Sequence, residues 1–92
     1  MTKKQKIAER IKPLLKEKNA TAKNPQKVEV YMYRVRRGDA IGKCESVWLE
    51  DDNIMCKVWY CGVYEKDLAY DVLTLNDMEI LEEYIKNGYA IQ

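Results

Sequence analysis

The spacing of apolar residues changes period twice along this chain, and that change limits what it can fold into. Over residues 3–18, Ile7, Ala8, Ile11, Leu14 and Leu15 recur at the i, i+3, i+4, i+7, i+8 spacing of one helical stripe. From Val28 the apolar residues alternate, as in half-buried strands, and Val, Ile, Trp and Tyr dominate. Over 76–87 the helical spacing returns, with Met78, Leu81, Tyr84 and Ile85 as its stripe and Ile80 at the margin. This order predicts an α+β fold: an antiparallel three- to four-stranded β-meander flanked by an N-terminal and a C-terminal α-helix. With 92 residues in all, residues 1–92 make a single small domain with one modest core.

Local signals place the boundaries. Thr2 with Gln5 has the form of a capping box for the first helix. Pro13 removes one backbone hydrogen bond and predicts a kink or break between Arg10 and Pro13. Residues 19–27 show no apolar period and contain Asn24-Pro25, which reads as a linker that leaves the first helix free to dock in more than one way. The sheet is expected over 28–73. Strand one spans about 28–37, with a two-residue turn at Gly38-Asp39; strand two spans about 40–50, with a turn in Asp51-Asp52-Asn53. Strand three spans about 54–63, and residues 64–67 form a turn before a short fourth strand at about 68–73. Asn76, with Glu79 three residues on, reads as the cap of the last helix, and Gly88 as its stop. Arg37-Gly38-Asp39 is a hairpin turn rather than an adhesion motif.

The expected turns assign the faces of the sheet. A turn at 38–39 pairs residue i of strand one with 77 − i of strand two; for strands two and three a turn at Asp51-Asp52 gives a sum of 103 and one at Asp52-Asn53 gives 105, with the same facing either way. One face then collects Val28, Val30, Met32, Ile41, Val47, Leu49, Ile54, Cys56, Val58 and Tyr60, a core for the last helix to cover. The other collects Tyr31, Tyr33, Val35, Cys44, Trp48, Met55, Trp59 and Cys61, with Ser46 and Lys57 among them. An antiparallel sheet needs only one buried face, so this second aromatic face is the most informative feature of the chain. Three uses compete for it: cover by the first helix, a protein or homodimer interface, and stacking of nucleic-acid bases.

Composition removes most catalytic chemistry. There is no histidine, so Ser-His and Cys-His pairs, imidazole bases and His-dependent metal sites are all excluded. The only serine is Ser46, and the three cysteines (Cys44, Cys56, Cys61) lack the paired spacing and fourth ligand of a zinc site. The four glycines form no phosphate-binding loop. No cofactor or metal is expected, and an enzyme using Cys44 or Cys61 as nucleophile is the weakest reading. No apolar run reaches membrane-spanning length and no secretory h-region is present, so the expected location is cytoplasmic, away from the membrane.

Net charge is +1, yet it is divided sharply. Residues 1–43 carry +9 and residues 44–92 carry −8. Such a division marks a basic arm for nucleic acid, an acidic surface for a partner, or two halves that neutralise each other in the fold. The reading that follows is a non-enzymatic protein-interaction or regulatory module, as a homodimer or with another protein. Tyr31, Tyr33, Trp48 and Trp59 are its anchors, and Arg34, Arg36, Arg37 and Lys57 its orienting cations. The alternative is a single-stranded nucleic-acid binder using the basic arm and the same aromatics. The acidic second half argues against that alternative.

Overall fold

A computed structural model describes residues 1–33, 40–60 and 64–88, with side chains described for all of these except 32, 33, 40, 41, 60, 64–68 and 71. The chain is an α+β domain. Helix α1 (Lys3–Glu17) precedes β1 (Gln26–Tyr33), β2 (Ala40–Glu50), β3 (Asn53–Tyr60) and a shorter β4 (Tyr64–Ala69). A single 3-10 turn (Tyr70–Val72) then leads to α2 (Leu75–Asn87). The strands form one antiparallel meander in the order β1-β2-β3-β4, three long strands extended by the short fourth.

Both helices bury their stripes in one core. Ile7, Ala8, Ile11 and Leu15 of α1 join Met78, Leu81 and Ile85 of α2 over Val30, Val47, Ile54 and Val58. The helix α1 therefore packs against α2 and the aliphatic core, and Tyr31 on the aromatic face stays open at 49% exposure. Of the expected kink or break at Pro13, the break is excluded: α1 runs unbroken from Lys3 to Glu17 with Pro13 inside it. Proline costs a helix interior about 3 kcal/mol. Full burial of Ile11 and Leu15 on either side stabilises by about 1.5–3 kcal/mol each, enough to offset it.

The helix ends follow capping chemistry. Thr2 Oγ1 accepts from the Gln5 N–H (3.1 Å) and Gln5 Oε1 from the Thr2 N–H (2.8 Å), as the sequence predicts. In α2 the cap is Thr74 rather than Asn76. Thr74 Oγ1 accepts from the Asp77 N–H (3.1 Å) and Asp77 Oδ2 from the Thr74 N–H (3.0 Å). This reciprocal pair uses the N3 carboxylate as the acceptor and starts the helix two residues before the point where Asn76 with Glu79 would. Gly88 closes the helix at φ 79°, in the left-handed region that glycine enters without strain.

Residues 19–27 are pinned, which overturns their reading as a loose linker. Ala20 is buried, and its carbonyl accepts from the Leu49 N–H (3.3 Å). Thr21 and Asn24 exchange backbone hydrogen bonds at 3.0 and 3.1 Å, and β1 already begins at Gln26. An apolar alanine amid polar neighbours carries no periodic signal, so only the fold reveals the anchor.

The second hairpin takes the first of its two expected registers, with the turn at Asp51-Asp52. Glu50 pairs with Asn53 and Trp48 with Met55, around Asp51 (φ 48°) and Asp52 (φ 64°). Positive φ at both central residues is the turn whose twist matches its strands, and aspartate tolerates it. The first hairpin does not have the expected register. Val30 faces Cys44 and Tyr33 faces Ala40, so the pairs sum to 74 and 73 rather than 77. The turn at 38–39 lies outside the described residues.

Irregularities cause the change. Between Lys27 and Val30 the first strand takes three steps while β2 takes two from Ser46 to Cys44, and β3 takes one from Lys57 to Val58. Such bulges bend and twist a sheet and reverse the facing of later residues. Cys44 accordingly joins the core, fully buried beside Cys56 and Val58. The fourth strand also differs from expectation. Residues 64–67 pair with β3 instead of turning, and 70–72 form the 3-10 turn that was expected to be strand. Glu65, Lys66 and Asp67 have low strand propensity, which hides an edge strand whose charges oppose further pairing.

Ion pairs join the two oppositely charged halves. Arg10 binds Glu82 through two bonds of 2.8 and 3.0 Å, and Lys16 and Lys12 reach Asp52 at 3.2 and 3.8 Å. Hydrogen bonding from Arg10 holds the Glu82 carboxyl below its ordinary pKa, aided by Lys86 at 3.6 Å. A lowered folded pKa gives stability that is complete above the ordinary glutamate value of about 4.3 and is lost as pH falls toward the folded value. The variant Glu82→Gln is therefore expected to show a flatter loss of stability than the parent below about pH 4.3, in urea titrations across the acid range.

Gly42 provides the second test. A Cβ there would lie 2.6 Å from the Trp59 carbonyl oxygen, a backbone atom that cannot swing aside. Gly42→Ala should lower the unfolding free energy by about 1–3 kcal/mol, read from the urea midpoint. An unchanged midpoint would show that the strands separate freely at this point.

Candidate functional site

The face of the sheet opposite the aliphatic core residues is built from cross-strand rows. Tyr31 on β1 pairs with Lys43 on β2, which pairs with Trp59 on β3. The next row runs Lys27, Ser46 and Lys57, and beyond it Trp48 pairs with Met55 and Met55 with Ala69. The first row is the open part: Tyr31 is one of the exposed large side chains, and Lys43 and Trp59 are half-buried.

Each ring of that row is held by an acid. The Tyr31 hydroxyl donates to Glu29 Oε1 at 2.6 Å, and the Trp59 Nε1–H donates to Glu45 Oε2. Glu29 lies two residues from Tyr31 on one strand, which places both side chains on one face. Glu45 sits at the irregular step of β2, where the extra residue re-aims a side chain toward the neighbouring strand. Charge-assisted bonds of this kind are roughly twice as strong as neutral ones, so the rings are fixed in orientation.

The eight residues singled out from sequence are distributed unevenly. Tyr31, Trp59 and Lys57 share the open face, with Lys57 one row from Trp59. Trp48 is on the same face by alternation but is only 3% exposed and belongs to the buried core, so it is no surface anchor. Its indole Nε1 has no hydrogen-bond partner among the described residues. Tyr33 lies at the end of β1 without a described side chain, and Arg34, Arg36 and Arg37 lie outside the described residues. Sequence reasoning missed Glu45. The available signal was Gly42 inside a strand, which marks a bulge or a close backbone approach and so a change of facing.

The cysteines belong to the core. Cys44 and Cys56 are buried free thiols, with Cys44 Sγ 3.7 Å from the Ser46 carbonyl oxygen. Hydrogen bonding with Cys56 pushes the Cys44 pKa far above its ordinary value, and burial adds to the rise. A reactive cysteine needs the opposite shift. Cys61 lies outside the described residues. Among the described residues no group of three or more His, Cys, Asp or Glu side chains could hold a metal ion, and no helix is long and apolar enough to cross a membrane.

Comparison with known proteins leaves this geometry to speak for itself: no protein-family model, no curated protein and no solved structure matches the chain.

Burial makes a chemical expectation. In a Cys61→Ser background, a thiol reagent should modify Cys44 and Cys56 only as fast as the protein unfolds, with both reacting together once urea is added. Fast labelling of either thiol in the native protein would show that the core opens locally.

Proposed function

We propose that this chain is a small non-enzymatic protein-interaction module whose contact surface is the open row Tyr31-Lys43-Trp59, and that its partner is a second copy of itself. The observation that carries the reading is Tyr31: a large aromatic side chain, 49% exposed, on the sheet face opposite the aliphatic core residues and bonded to Glu29. Tyrosine and tryptophan dominate the anchors of protein interfaces. A ring held in position beforehand loses less entropy on binding.

The surrounding charges favour a second copy. Lys27, Lys43 and Lys57 alternate with Glu29 and Glu45 about the two rings. A two-fold interface brings a patch against itself, so a face of mixed sign can pair each cation with an acid of the other copy. The same two acids, each bonded to an aromatic ring, oppose the approach of a phosphate backbone. Absence of histidine from the whole sequence supports a binding role over a catalytic one.

Light scattering after size exclusion, over a range of concentrations, tests the reading. The parent protein is expected as a concentration-dependent dimer free of nucleic acid, and Tyr31→Ala as a monomer with an unchanged melting temperature. Its exposed side chain leaves little stability to lose. A parent that stays monomeric at every concentration, or a Tyr31→Ala dimer as tight as the parent, would overturn it.

A further inference from the structure

A second surface lies at the far side of the molecule, between the two helices. Along α1 from Lys3 to Arg10, the facing residues of α2 advance from Leu75 and Glu79 to Glu82. The helices thus run side by side in one direction, and their first turns frame a groove of about 270 Å³ lined by Lys3, Lys6, Ile7, Arg10, Leu75 and Glu79. Its floor is apolar, Ile7 with Leu75, and Leu75 is 36% exposed. Three cations stand on its rim against one acid.

These cations are not used up by the fold. Arg10 is bound to Glu82, but Lys3 and Lys6 make no ion pair among the described residues. Helix stability does not call for them either, since the first turn of a helix favours acids and α1 has none there. The volume decides what kind of ligand fits. Pockets that enclose a small molecule run from about 300 to 1,000 Å³, so this groove is a seat for a side chain on a larger surface.

We infer that the groove docks an acidic peptide segment of a partner protein, one that places an apolar side chain between Ile7 and Leu75 and carboxylates on Lys3 and Lys6. The apolar floor fixes the register of the segment, and the lysines select its charge and speed its approach. This surface is separate from the Tyr31-Trp59 face and does not depend on the reading given for it.

Fluorescence anisotropy with a fluorescein-labelled peptide of alternating Glu and Leu tests the inference. The parent protein should bind it, more weakly as salt rises. The double variant Lys3→Glu, Lys6→Glu should lose about tenfold or more in affinity at an unchanged melting temperature, because both side chains are exposed. Leu75→Ala should weaken the same peptide, and Tyr31→Ala should leave it unchanged. Equal binding of a Glu-Ser peptide would reduce the groove to general attraction of anions and overturn the proposal. Tighter binding of a single-stranded oligonucleotide, or full affinity in the double variant, would overturn it too.

Discussion

The irregular step that crosses β1, β2 and β3 near Glu45 governs the rest of the molecule. There β1 takes three residue steps and β2 two while β3 takes one, so the sheet bends and twists, and side chains of β2 beyond the step exchange faces. Cys44 moves inward to meet Cys56 and Val58, and Val30 comes opposite it. Glu45 is left at the step to reach Trp59. Past the step, Gly42 comes so close to the Trp59 carbonyl that no side chain fits. A regular ladder would bury different residues and would present a different row to solvent.

The coiled sheet gives two helices a common floor. Amphipathic helices bury their stripes most completely where one apolar surface is wide enough to take both, and here α1 and α2 share it and touch each other. The second face is covered at Ser46 and Trp48 and open at Tyr31. The same packing brings the basic first half of the chain against acids of the second, through Arg10-Glu82 and the lysine pair on Asp52. Part of the division of charge seen in the sequence is therefore internal neutralisation, and two further lysines, Lys3 and Lys6, stand at the opening between the helices.

Features set by local chemistry were legible in the residues. The Thr2-Gln5 box, a turn within Asp51-Asp52-Asn53 and the stop at Gly88 each rest on a few neighbouring groups, and each is where the pattern put it. The aliphatic face was legible as well, because Val30, Val47, Ile54, Cys56 and Val58 keep the alternation. What failed depended on distant partners. The fate of Pro13 is decided by burial of Ile11 and Leu15, the anchoring of Ala20 by Leu49, and β4 by a backbone ladder its charged side chains do not announce. At the candidate site, Tyr31 and Trp59 could be placed on one face, whereas the burial of Trp48 could not: alternation assigns a side, and says nothing of what lies above it.

The pairing of α1 with α2 has a consequence for how the chain is made. Arg10 and Glu82 are 72 residues apart, so α1 leaves the ribosome well before the helix it rests on. At about 5–20 residues per second that interval is roughly 4–14 s. Throughout it, the stripe of Ile7, Ile11 and Leu15 has no α2 to cover it. The lysines around α1 repel one another and their like on neighbouring nascent chains, and they keep the segment dispersed until its partner arrives. Lys3 and Lys6, which make no ion pair among the described residues of the finished fold, thus serve the unfinished one.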